Sequence, residues 1–257
     1  MALIWIPFAK LFILILIHNL VSPVSSDKFR IVGGSTTSIT NHKYIVSLRL
    51  KTGKFFCAGS LVKARYVITA AHCVKGLTTR DLYIHGGVTY LKQTGVKRSV
   101  TKIMIPKTFS IKNGTMDVAV LKLNKPLKGS NIATIPLCSR IVLTNNWVTV
   151  SGWGFINESS YGPSQQLRTV NVRIISKEKC HRNYRGKFKM SSTMMCASVP
   201  GRRDACSGDS GGPLVYRKQL CGIVSLGMGC ASKEYPGIYT VIRDKQVWSF
   251  INKALRS

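Results

Sequence analysis

The chain has 257 residues, with 38 lysines and arginines against 9 aspartates and glutamates, for a formal net charge of +29. At 45% hydrophobic and only 18% charged residues, it is too apolar for a disordered basic tail and long enough for one or two domains with a sizeable core. The imbalance reflects missing acids more than surplus bases, so every acid calls for a physical reason.

In chain order, Met1 to Leu20 is almost wholly apolar, broken by Pro7 and Lys10, and the small residues Val24-Ser25-Ser26 follow. Residues 1–26 therefore read as a signal peptide cleaved after Ser26. A membrane anchor is the rival, but the run after Lys10 is short for a bilayer, and the full stretch spans one only with Lys10 inside it. No stable membrane anchor is expected. Eight cysteines, an even number, suit four disulfides in an oxidising, extracellular compartment. Zinc would prefer Cys-x-x-Cys pairs, which are absent, so no metal or other cofactor is expected.

Beyond residue 30 the pattern is one of short alternating segments. Tyr44, Val46, Leu48 and Leu50 alternate with Ile45, Ser47 and Arg49, and Val170, Val172 and Ile174 alternate with Asn171 and Arg173. Gly- and Asn-containing breaks separate such runs, which predicts an all-β sandwich or barrel. One helix is predicted, at the end of the chain. Asp244 caps it, and Val247, Trp248, Ile251 and Leu255 share a face.

Three short segments carry chemistry. Thr69-Ala70-Ala71-His72-Cys73 sets an imidazole beside a cysteine, Asp117-Val118-Ala119-Val120 puts a carboxylate before an apolar run, and Gly208-Asp209-Ser210-Gly211-Gly212-Pro213 sets a hydroxyl among glycines. A serine hydroxyl is a weak nucleophile that needs a base, and the base needs a group to orient it. Glycines beside the serine let a substrate carbonyl approach and let N–H groups point at a developing oxyanion. Each segment alone has a bland explanation as a structural histidine or a turn. Their order, His then Asp then Ser, does not.

On these segments, together with Ile31-Val32-Gly33-Gly34, Ser151-Gly152-Trp153-Gly154 and Pro236-Gly237-Ile238-Tyr239, the chain resembles the trypsin-like serine proteases of the chymotrypsin family. The resemblance runs from Ile31 to the terminal helix, making residues 31–257 one protease domain. It implies an all-β fold of two antiparallel six-stranded β-barrels, the active site between them, and a short C-terminal helix. It also implies a serine endopeptidase in which His72, Asp117 and Ser210 are catalytic and the N–H groups of Gly208 and Ser210 form the oxyanion hole. Asp204 would be the carboxylate at the base of the primary specificity pocket, selecting Arg or Lys, with Ala205, Ser225, Gly227 and Gly237 around it. The alternative for Asp204 is an exposed loop residue paired with Arg202 or Arg203. Ala205 lacks the hydroxyl common there, which should favour the two-pronged guanidinium of Arg over Lys.

Residues 27–30 would form a short activation propeptide. Cleavage after Arg30 by a trypsin-like protease would free the amino group of Ile31 to pair with Asp209. The resemblance also implies the disulfides Cys57–Cys73, Cys180–Cys196 and Cys206–Cys230. Cys138 and Cys221 are left to pair by elimination. Leu226 stands where the family usually has tryptophan, on the floor of the outer subsites. Leu82 to Met116 holds no acid, so no calcium site is expected.

Asn113 and Asn157 begin glycosylation sequons. Lys177, Lys179, Arg182, Arg185, Lys187 and Lys189 crowd one segment with Tyr184 and Phe188 interleaved. That charge leaves open a second class of reading, a cationic protein of the same fold that binds polyanions with little or no catalysis. Expected partners are protein or peptide substrates, the activating protease, serpin-type inhibitors and anionic glycans. No specific nucleic acid is expected, and the protein should be a monomer.

Overall fold

The structure, a computed structural model, describes residues 33–156, 161–187 and 189–257. The leader, Arg30, Ile31, the Asn157 sequon and Phe188 lie outside the described residues. Six strands form a closed antiparallel barrel: β2 (Ile45–Leu50), β3 (Phe55–Lys63), β4 (Tyr66–Thr69), β5 (Leu82–Gly86), β6 (Val96–Met104) and β7 (Ala119–Leu123). They run in the order β2-β3-β4-β7-β6-β5.

Six more strands form the second barrel: β8 (Trp147–Gly152), β9 (Arg168–Ile175), β10 (Met194–Ser198), β11 (Pro213–Tyr216), β12 (Gln219–Leu226) and β13 (Gly237–Val241). Their order is β9-β10-β13-β12-β11-β8, and the β8–β9 pairing closes the ring from Trp147↔Arg173 to Gly152↔Arg168. The two-residue β1 (Ser35–Thr36) pairs with the start of β9, a stretch that β10 leaves free. Closure removes exposed strand edges, which is what permits a small all-β unit to persist as separate molecules.

The two alternating segments behave differently. In β9, Val170, Val172 and Ile174 point into the core while Asn171 and Arg173 face solvent. In β2 the opposite face is covered too. Val46 and Leu48 fill the barrel, whereas Ile45 packs with Ile39, Ala58, Val88, Leu91, Trp153 and Leu167 in a second cluster drawn from both halves of the chain. Each fully buried aliphatic contributes about 1.5–3 kcal/mol.

Among the described residues, three α-helices complete the fold. α1 (Ala71–Val74) carries His72. α3 (Lys245–Ala254) begins where the sequence places it, with the Asp244 carboxylate accepting from the N–H groups of Gln246 and Val247 at 2.9 and 3.3 Å. α2 (Lys177–Asn183) was not foreseen, because its lysine-rich seven residues have no apolar periodicity. It is held by the Ser176 cap and by Cys180, which is buried.

All four expected disulfides are formed, Cys138–Cys221 included. Among the described residues no helix is long and apolar enough to cross a membrane.

Candidate active site

α1 is a single turn whose N-cap, Ala70, makes no side-chain hydrogen bond, so its first N–H groups need outside acceptors. Asp117 supplies one. Its Oδ1 accepts from the His72 backbone N–H at 2.9 Å, and its Oδ2 lies 2.7 Å from His72 Nδ1. One carboxylate thus fixes both the backbone and the ring of His72. With a carboxylate as partner, Nδ1 carries the proton and Nε2 keeps its lone pair.

Asp117 is fully buried in the segment leading into β7, while the His72 side chain keeps 23% of its surface exposed. Ser225 Oγ donates to Asp117 Oδ2 at 2.6 Å, and Thr240 Oγ1 donates to its backbone carbonyl at 2.8 Å. The sequence reading gave Ser225 to the specificity pocket alone. It lines the cavity that holds Asp204, and it also bonds to Asp117.

Ser210 and His72 line one cavity of about 460 Å³ together with Asp204, Ala205, Ser225 and Gly227. The segment bearing Ser210 is shaped by glycines and by Asp209. Gly208 has φ +90°, and a Cβ there would sit 3.2 Å from the Gly154 Cα. The Phe155 N–H donates to the Ser207 carbonyl at 2.6 Å. Because a trans peptide points its C=O and N–H opposite ways, the Gly208 N–H faces away from Phe155.

Asp209 has no exposed surface and accepts from the N–H groups of Gly154 at 2.8 Å and Cys206 at 3.0 Å. A Cβ on Gly152 or Gly154 would fall 2.1 or 2.4 Å from its carboxylate, so glycines make its seat. Burial pushes its carboxyl up to about 6, against those two hydrogen bonds and the nearby Arg168 guanidinium.

Asp204 lies in the same cavity, 1% exposed. The N–H groups of Ala205 and Gly237 reach it at 2.8 and 3.1 Å, and Tyr239 packs alongside. Burial raises its carboxyl to about 7, because the two N–H donors replace only part of the lost hydration. A Cβ on Gly237 would come 2.4 Å from Asp204 Oδ1, so the absence of a side chain keeps the carboxylate reachable. The alternative of an exposed loop carboxylate paired with Arg202 or Arg203 is excluded. Both arginines are exposed, and Asp204 is buried with no arginine or lysine partner among the described residues. The Cys206–Cys230 disulfide joins two walls of the cavity.

Leu226 lines the cavity and also packs against the loop before Asp117, where a Cβ on Gly114 would be 2.4 Å from Leu226 Cδ1. That loop carries the first sequon, and Asn113 Oδ1 accepts from the Thr115 N–H at 3.1 Å. Where calcium was not expected, the chain between β5 and β6 is tied by Gln93, whose Oε1 accepts from the N–H groups of Thr89 and Tyr90 at 2.8 and 3.2 Å.

The basic segment differs from its expected form. Tyr184 is buried, its hydroxyl donating to the Pro236 carbonyl at 2.6 Å, so its ring is not offered to a ligand.

Residues 31–248 match the family described as Trypsin. The chain is similar to Seminase of Drosophila melanogaster, 43% identical over 232 residues that cover 89% of this chain and 82% of Seminase. It is also similar to Trypsin delta of Drosophila erecta, 38% identical over 85% of this chain and 87% of the relative. Trypsin delta of Drosophila melanogaster is 37% identical over 87% and 88% of the two chains.

Proposed function

Because the chain belongs to the trypsin family of serine proteases, we propose that it is a secreted endopeptidase, made as a zymogen, that cuts after Arg or Lys. His72, Asp117 and Ser210 carry the reaction. The observation behind this reading is the 2.7 Å contact between His72 Nδ1 and Asp117, with His72, Ser210 and the buried Asp204 lining one cavity.

His72 Nε2 takes the proton of Ser210 as its Oγ attacks the scissile carbonyl carbon. The resulting oxyanion accepts hydrogen bonds from the N–H groups of Gly208 and Ser210. Asp117 stabilises the imidazolium, which then gives its proton to the leaving amine as the C–N bond breaks. Water, deprotonated by the same imidazole, attacks the acyl-enzyme, and Ser210 recovers its proton.

A substrate guanidinium or ammonium entering the cavity pairs with Asp204 and restores the electrostatic partner that burial removes. The hydroxyl missing at Ala205 favours the two-pronged guanidinium. Activation follows the same logic. Cleavage after Arg30 frees the Ile31 amino group, and its charge pairs with Asp209, whose neighbours Gly208 and Ser210 carry the oxyanion donors.

The test is a peptide library offered to the chain after cleavage at Arg30. Cutting after Arg and Lys, with Arg ahead, is expected. Cutting after aromatic or small residues would overturn the Arg/Lys specificity, and equal cutting after Arg and Lys would overturn the preference assigned to Ala205.

The surplus of cations supports a second property, retention on anionic glycans. Lysines and arginines outnumber Asp and Glu 38 to 9, so most of the cations have no carboxylate to pair with. Five of the acids are engaged by N–H groups or by the cavity. Asp81 takes the Thr78 N–H and hydroxyl, Asp244 caps α3, and Asp117, Asp204 and Asp209 serve the site.

A further inference from the structure

The cluster visible in the sequence, residues 177–189, is a poor anion site once folded. Its cavity is lined by His181, Arg182, Arg185 and Lys189 but also by Glu178, whose carboxylate opposes an incoming anion. The first barrel holds a better one. There, a groove of about 330 Å³ is lined by Lys51, Lys97, Arg98 and Lys125, with Tyr83 and no acid.

These four cations come from three places in the chain: the residue after β2, two adjacent positions of β6, and the turn after β7. The sheet register brings them together. β5 pairs with β2 at Arg49↔Tyr83 and with β6 at Tyr83↔Ser99, and the Asn124 N–H donates to the Ser99 carbonyl at 3.0 Å.

Lys97 and Arg98 stand on paired strands, and Lys51 and Lys125 on the turns that directly follow β2 and β7. Arg98 is held by bonds from Nε to the Pro126 carbonyl at 2.9 Å and from Nη1 to the Lys97 carbonyl at 2.8 Å. Lys97 Nζ rests 5.5 Å from the Tyr83 ring centroid. Asp81, whose backbone carbonyl accepts from the Lys51 N–H, turns its carboxylate to Thr78.

We propose that this groove is where the protein holds a sulfated polysaccharide. The inference rests on the glycan-retention reading and gives it a place. Four cations with no compensating carboxylate fit a linear chain of fixed negative charges. A peptide adding itself as a strand has no free edge here, because β5 and β6 are each paired on both sides. Single-stranded nucleic acid needs open aromatic faces for stacking, and the one ring in the groove lies under Lys97.

The experiment measures affinity of the full chain for heparin across a salt series. Two triple variants are compared, Lys51→Gln/Lys97→Gln/Lys125→Gln in the groove and Arg182→Gln/Arg185→Gln/Lys189→Gln beside α2. The groove variant should bind at least about tenfold more weakly near physiological salt. Its slope of log Kd against log salt should fall by about three, one for each lost contact. The α2 variant should change less than about threefold. Both should hydrolyse a small peptide as the parent does, which shows that they are folded.

A parent chain retained by heparin with the larger loss in the α2 variant would overturn the location and leave glycan retention standing. No salt-dependent retention of the parent would overturn both. Equal binding to fully desulfated heparin, or equal displacement by polyglutamate or single-stranded DNA of matched charge, would overturn the sulfated-glycan assignment.

Discussion

Binding of a small arylamidinium cation in the primary pocket should expel a proton from Asp204. The carboxyl is 1% exposed, and burial lifts it to about 7 even with two N–H donors at 2.8 and 3.1 Å. A cation bound against it favours the ionised form, so below that value each ligand must displace about one proton. Affinity should rise tenfold per pH unit below about 7 and level off above it. At pH 5 the Kd should be about 100-fold weaker than at pH 8, a difference of about 2.7 kcal/mol. Calorimetry in two buffers of different ionisation enthalpy counts the proton directly. Asp204→Asn should abolish both the proton release and the slope, and should hold the affinity near the weak limit at every pH. A flat affinity between pH 5 and 8 in the parent, or tight binding by the asparagine variant, would refute the claim that a buried carboxyl governs this pocket.

Gly208→Ala forces a side chain onto a φ of +90° with its Cβ 3.2 Å from the Gly154 Cα. Stopped-flow and steady-state assays should show kcat down about 100- to 1,000-fold, the loss of one oxyanion donor, with KM nearly unchanged. Gly237→Ala puts a methyl 2.4 Å from Asp204 Oδ1, and overpacking of about 1–3 kcal/mol should cut kcat/KM for Arg and Lys peptides about five- to 150-fold. Turnover of a small ester without a side chain to bury should survive that change.

Asp209, raised by burial to about 6 from an ordinary 3.8, keeps a proton in the folded chain that the unfolded chain has already released. Stability is therefore lost as pH rises from about 4 through about 6, by about 3 kcal/mol from this group. His85, lowered by burial to about 4, acts in the opposite direction over the same window, so the test is the difference between two proteins. In thermal melts of the uncleaved chain, Asp209→Asn should gain Tm relative to the parent as pH rises from about 4 to about 6, and a difference that does not change with pH would contradict the assignment.

Reading the chain alone goes furthest where chemistry is packed into contiguous residues. The segments around His72, Asp117 and Ser210 are short and self-contained, and the alternation in β9 survives folding because only one of its faces is buried. β2 shows the limit, since Ile45 looks like a solvent position until Trp153 and Leu167 of the second half cover it, and Ser47 until it bonds the His85 carbonyl. The hydrogen bond from Ser225 to Asp117 joins residues 108 apart, and nothing local to either residue announces it. α2 escaped because it is fixed by a cap and a disulfide, not by an apolar stripe. The hairpin between β11 and β12 turns on Arg217 and Lys218, both at positive φ, where a sequence reader looks for Asn-Gly. The same limit applies to charge. The cluster at 177–189 is conspicuous because it is local, whereas the acid-free groove gathers Lys51, Lys97, Arg98 and Lys125 only through strand register.

The central claim is that Ser210, activated by His72 and Asp117, makes this chain a peptidase. It is tested most directly by comparing the protein cleaved after Arg30 with its Ser210→Ala counterpart on one Arg-containing peptide. The parent should turn the peptide over, and the alanine variant should lose about 10⁴-fold or more in kcat while still melting cooperatively. A cleaved parent with no turnover, or an alanine variant that matches it, would contradict the account.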